Sequence, residues 1–212
     1  MSTSEIQVLP DRSAVFVPNS VLENFDENEI GYLVREAYDS AQQKPILIDA
    51  EKQVEIVNGE EIIKEMAGAK HSGVGTRLII KLGIYLESNP IGRVYGADAT
   101  FTIGENDRLP DVSFISNDKI PANGEPLKKW LFAPDIAVEV VSPTDFYQDV
   151  LDKIDEYFDA EVKQVWIINP EKDDFAIFTA PKTTKYLSKD EILTCEEILP
   201  DFRLKLSDIF ID

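Results

Sequence analysis

The sequence predicts an α/β protein, a mixed α+β sheet in one main domain, and three observations carry that expectation. An almost unbroken apolar run at residues 136–141 reads as a strand buried on both faces. Amphipathic helical patterns precede it at 71–87 and follow it at 149–160, the second leading into another buried run at 164–168. The 212 residues suit a single core, and 43% hydrophobic residues, with 11 Phe, 7 Tyr and 2 Trp, are enough to fill it.

Taken in chain order, residues 21–43 repeat apolar side chains at near-helical spacing until Pro45 ends the pattern. Residues 46–63 read as short extended pieces around Asn58-Gly59, a hairpin signal. In 71–87 Val74, Leu78, Leu82, Tyr85 and Leu86 return every three or four positions, and Asn89-Pro90 stops the helix. Residues 94–103 and 112–115 read as two strands joined by a turn at 105–107, and the proline-rich stretch 116–134 as a loop. Ser142-Pro143-Thr144 closes the 136–141 strand, Val150, Ile154, Tyr157 and Phe158 give the next helix its inward face, and Asn169-Pro170 ends the strand after it. Residues 175–178, 183–187 and 193–210 suggest further strands and a short helix near 206–210. The order is helix, strand, strand, strand, helix, strand. Residues 1–45 are expected to form a helical extension packed on the core, and residues 46–212 the single domain.

Composition narrows the function. The start of the chain has neither the basic region nor the apolar run of a signal peptide, and no stretch is long and apolar enough for a membrane span, so the cytoplasm is the expected location and a membrane is not an expected partner. With one cysteine, Cys195, and one histidine, His71, a Cys/His zinc cluster is excluded, and any metal needs oxygen ligands. A net charge of −19 argues against indiscriminate attraction to nucleic acid. Residues 71–147, with 7 basic and 10 acidic groups, are the least acidic third and the expected place for a polyanion.

Two carboxylates stand out. Glu139 lies inside Ile-Ala-Val-Glu-Val-Val, where burial demands a partner, a proton or a metal. Strand alternation sets Asp135, Ala137 and Glu139 on one face. Asp111 opens the preceding strand, and with matching register the two acids converge on one point, the arrangement a hard divalent cation takes up. Mg²⁺ or Mn²⁺ is the expected ion, with the Val140 carbonyl as a further ligand. Lys153, on the border of the second helix's apolar stripe, is the candidate positive group, although it could equally pair with Asp149 on the surface. His71 heads its helix on the side of Leu78 and Leu82 and could face the site or serve only as a helix-end residue, as Ser142 could serve only a turn.

The segments Asn58-Gly-Glu60, Lys70-His71, Pro110-Asp111-Val112, Ala133-Pro-Asp135, Glu139-Val-Val-Ser-Pro143, Lys153 with Glu156-Tyr157, and Val165-Trp166-Ile-Ile-Asn-Pro170 together resemble the bacterial Uma family of restriction-endonuclease-like proteins. The likeness spans roughly residues 50 to 210. It implies the restriction-endonuclease-like fold with its PD-(D/E)xK site, in which Asp111 and Glu139 match the two acids. Val141 stands where that motif has lysine, but members of this superfamily can supply the lysine from the following helix, and Lys153 fits that substitution; the resemblance also implies a third acid from the first core helix or strand, for which Asp98, ahead of Glu65, is the candidate. The resemblance further implies a Mg²⁺-dependent endonuclease acting on DNA, with a homodimer expected by analogy. The alternative is a non-catalytic binding or regulatory module that kept the fold, suggested by Val141 and the overall acidity.

Overall fold

The structure, a computed structural model, describes residues 53–64, 68–142 and 145–211, which belong to a compact unit spanning Glu51–Asp212. The helix expected at 21–43 and the candidate Glu65 lie outside the described residues. Strands β1 (Gln53–Val57) and β2 (Glu60–Lys64) form the expected hairpin. Asn58 and Gly59 both adopt positive φ, 52° and 80°, which matches the tight primed turn that Asn-Gly favours.

Helix α1 (Ala69–Ser88) buries Val74, Leu78 and Leu82 on one face and ends at Asn89, whose backbone N–H and side-chain amide both donate to the Tyr85 carbonyl. Strand β3 (Gly92–Gly96) follows, and Gly92 is required there: a Cβ would lie 2.3 Å from the Ile115 carbonyl oxygen and 2.5 Å from the Phe114 ring. The single strand expected at 94–103 is instead two. The chain turns after Gly96, with Ala99 N–H bonded back to the Gly96 carbonyl, and re-enters a second sheet as β4 (Phe101–Ile103), β5 (Asn106–Arg108) pairing beside it. Apolar content cannot distinguish one strand from two that belong to different sheets.

The main sheet has six strands in the order β10-β9-β8-β7-β6-β3, comprising β6 (Val112–Ser116), β7 (Ile136–Val140), β8 (Gln164–Asn169), β9 (Asp174–Ala180), β10 (Thr183–Ser188) and β3. Among the described residues only β7 and β8 are parallel neighbours in this sheet, joined by helix α2 (Tyr147–Asp159) as a β-α-β crossover. The smaller sheet has the order β2-β1-β5-β4.

Alternation along β7 splits the core. Ile136, Val138 and Val140 join α1 and the C-terminal hairpin of β11 (Ile192–Cys195) and β12 (Leu199–Lys205), whereas Ala137 joins Ile154 and Tyr157 of α2. The C-terminal hairpin and the 3-10 turn Leu206–Asp208, in place of the expected short helix, are tied to α1. Arg77 donates to the Ile209 carbonyl, Lys81 pairs with Asp208, and the Tyr85 hydroxyl donates to the Pro200 carbonyl, each at 2.7 Å. No helix among the described residues is long and apolar enough to cross a membrane.

Candidate active site

The pairing of β6 with β7 decides where the two flagged acids meet. Val112 faces Val138 and Ser113 faces Ala137, so one more step of the same register sets Asp111 opposite Glu139. Both carboxylates are buried, at 8% and 7% exposure, although each flanks or sits within an apolar strand. The fold therefore gives each of them polar partners.

Asp111 Oδ2 accepts a hydrogen bond from the Val140 backbone N–H at 2.7 Å and lies 3.4 Å from His71 Nε2. Its Oδ1 accepts from Lys64 Nζ at 2.8 Å. Burial pushes this carboxyl up, but the bond from His71 and the charge and hydrogen bond of Lys64 outweigh it and hold the group down at about 2. His71 in turn is raised: burial opposes its charge, and Asp111 together with the Val140 carbonyl overcomes that cost.

Glu139 projects to the α2 side of β7. Its Oε1 accepts from the Tyr157 hydroxyl at 2.6 Å and lies 3.6 Å from Lys153 Nζ, and its Oε2 is 4.0 Å from Lys64 Nζ. Here the balance runs the other way. Burial raises the Glu139 carboxyl, and the attraction of Lys153 and Lys64 does not restore it, with Asp111 and Glu55 adding repulsion.

The third acid of the cluster is Glu55, a residue the sequence reading passed over. It is 4% exposed on β1. Its Oε1 accepts from the Leu109 backbone N–H at 3.1 Å and from Lys153 Nζ at 3.2 Å, and its Oε2 from Arg108 at 2.9 Å. Burial works against the Glu55 charge, yet Lys153, the Leu109 N–H and Arg108 hold its carboxyl below the usual range. The buried Arg108 fork also grips Glu156 of α2 through two bonds of 2.8 and 2.6 Å. Glu55 shows the signal that exposed Glu139, an acid between Val54 and Ile56 in a strand, but Gln53 and Asn58 bound that short apolar run closely and the signal was faint. Lys64, ending the run Ile62-Ile63, carried no signal at all.

Asp111, Glu139, Lys153 and His71 are thus brought together, and Val140 contributes backbone to the same point. Asp98 is placed elsewhere: it is exposed and accepts from Gln53 at 2.9 Å. Ser142 bonds Asp145 in the turn before α2.

The donors around this point are hard oxygens, carboxylates and a carbonyl, which fit Mg²⁺ or Mn²⁺ by type. Among the described residues no three acidic, His or Cys side chains are drawn to metal-ligand spacing. The acids are bridged instead by the ammonium groups of Lys64 and Lys153.

A family model described as "Uma2: Putative restriction endonuclease" matches residues 36–207, most of the chain and further toward its start than the resemblance noted above. Among solved structures the chain is similar to a protein described as a putative nuclease belonging to DUF820 from Anabaena variabilis ATCC 29413. The two are 23% identical with a TM-score of 0.67, over 74% of this chain and 89% of that one, a likeness that speaks for the fold. No curated protein matches.

Proposed function

This chain belongs to the Uma2 family of putative restriction endonucleases, and on that premise we propose that it is a metal-dependent endonuclease that hydrolyses DNA phosphodiester bonds at the Asp111–Glu139 cluster. The observation that carries this reading is the gathering of three buried carboxylates, Glu55, Asp111 and Glu139, around two lysines, Lys153 reaching Glu55 and Glu139 and Lys64 reaching Asp111 and Glu139. Burying like charges together is costly, and perturbed, desolvated groups concentrate where chemistry is done.

In this reading Asp111, Glu139 and the Val140 carbonyl hold the cation. A bound Mg²⁺ or Mn²⁺ supplies polarisation of the phosphodiester and a lowered pKa for an attacking water. The remaining work belongs to the chain's own residues. Lys153, held 3.2 Å from Glu55 and 3.6 Å from Glu139, offers N–H donors to the water and to charge developing on phosphate oxygens. Glu55 keeps that ammonium in place, and Arg108, by gripping both Glu55 and Glu156, locks β1 to α2. Tyr157 orients Glu139 and His71 orients Asp111. Lys153 stands in for the lysine that the motif places where this chain has Val141.

The test is metal-dependent cleavage of plasmid DNA by the purified full chain. Glu139→Ala is expected to abolish cleavage while leaving the circular-dichroism spectrum intact. Equal cleavage by the parent and this variant, with contaminating nuclease excluded by a second purification route, would overturn the assignment.

A further inference from the structure

Lys64 has no part in the catalytic arrangement just described, yet it occupies its centre. Its ammonium donates to Asp111 Oδ1 at 2.8 Å and to the Leu109 carbonyl at 2.9 Å, and lies 4.0 Å from Glu139 Oε2. Two carboxylates and a carbonyl around one positive charge form the kind of oxygen nest that a small hard cation takes. We propose that Lys64 is an intramolecular counter-ion that competes with the divalent metal for Asp111 and Glu139, so that loading the site requires its ammonium to leave. The proposal rests on the metal-dependent reading above.

Charge bookkeeping supports exclusion rather than coexistence. With His71 neutral, Glu55, Asp111, Glu139 and Glu156 contribute four negative charges and Arg108, Lys153 and Lys64 three positive ones, and a protonated His71 beside Asp111 would complete the balance, so the cluster is already close to neutral. A divalent ion added beside Lys64 would make a buried excess of positive charge and set like charges within a few ångströms of each other. Without Lys64 the remaining deficit of two is what a divalent ion neutralises.

The fold also lets Lys64 depart where Lys153 stays. Lys153 rises from the middle of α2 and is held by Glu55 and Glu139 from two strands. Lys64 is the last residue of β2, the edge strand of the smaller sheet, whose other residues, Glu60 to Ile63, are exposed. Its flexible four-carbon stem can swing to solvent without breaking the core.

The experiment is calorimetric titration of Mn²⁺ into the metal-free full chain, comparing the parent with Lys64→Met, which keeps the apolar stem and removes the charge. Binding at least tenfold tighter in K64M supports the proposal. Equal or weaker binding in a K64M protein that melts as the parent does overturns it and leaves the metal-dependent reading standing, whereas binding in neither protein overturns both. A second measurement needs no variant: amine acetylation of the parent followed by mass spectrometry. Saturating Mn²⁺ is expected to increase labelling of Lys64 several-fold, and unchanged labelling of Lys64 under saturating Mn²⁺ overturns the proposal.

Discussion

Asp135 and Glu139 stand at the two ends of β7, both inside the protein, and their surroundings differ in kind. Asp135 is fully buried and, among the described residues, shares its cations with no other acid: Ser116 N–H donates to it at 2.7 Å, Lys163 lies 2.7 Å away and Lys119 3.7 Å. Those lysines reach into water, and although burial raises the Asp135 carboxyl, Lys163 and the Ser116 N–H bring it below the usual carboxylate range. Glu139 shares its two lysines with Asp111 and Glu55, and its carboxyl ends above that range. One end of the strand has more cation than acid and ties the Ser116 turn to the core. The other has more acid than cation, and Glu139 holds a proton there more readily than a free glutamate does. A buried acid is therefore weak evidence of a site by itself, and a buried acid competing with other acids for its cations is stronger evidence.

The comparison is broken most sharply through Lys153. Lys153→Met is expected to lower the cleavage rate by about 10²- to 10⁴-fold, the range for a positioned proton-transfer or charge-stabilising group, whereas Lys163→Met at the Asp135 end leaves the rate unchanged. Single-turnover cleavage assays of both variants separate the two ends of β7. Comparable losses in both would dissolve the distinction.

Stability should sort the ends in the opposite sense. Asp135→Ala strands the Ser116 N–H and is expected to cost about 1–3 kcal/mol in urea unfolding. Glu139→Gln removes a charge that the fold holds at a penalty, and it is expected to leave stability unchanged or raise it at neutral pH. A large loss in E139Q would show that Glu139 is a structural acid after all.

Acid titration sharpens the contrast within the cluster. Asp111 is held at about 2 against an ordinary 3.8, so its stabilising contribution is complete above pH 3.8 and is lost as pH falls through about 2. The difference corresponds to about 2 kcal/mol. Glu139 has the reverse sign: its folded carboxyl binds a proton more tightly than the unfolded chain does, so its contribution favours folding below pH 4.5 and is lost as pH rises through the raised value. Unfolding free energies measured from pH 6 to 2 should fall more steeply at the acid end in the parent than in Asp111→Asn, and equal slopes would discount the Asp111 network. Among the losses of stability the smallest expected is that of Tyr157→Phe, which removes one hydrogen bond to Glu139 at a cost of about 1 kcal/mol in melting experiments.

Much of this was readable from residue order alone. The periodicity of α1 and α2 and the apolar runs of β7 and β8 reflect burial of one face or of both, and burial leaves a local pattern in sequence. Glu139 could be picked out for the same reason, since a charge in such a run contradicts its neighbours. Asp111 followed from strand alternation once β6 was recognised. The division of 94–103 into β3 and β4 was not readable, because sheet membership depends on partners distant in the chain.

What the sequence determined by itself, then, was the order of elements, the family likeness and two acids out of place. Tertiary structure decided which groups surround those acids. Glu55, Lys64 and Arg108 come from the β1-β2 hairpin and β5, 31 to 84 residues from Glu139, taking the differences 139 − 108 and 139 − 55. Chain spacing encodes no distance across a sheet, and the electrostatic environment of a buried charge is set by whatever lies within a few ångströms in space. That is why the same lysine-rich, acid-rich composition yields a quiet anchor at Asp135 and a crowded cluster at Glu139.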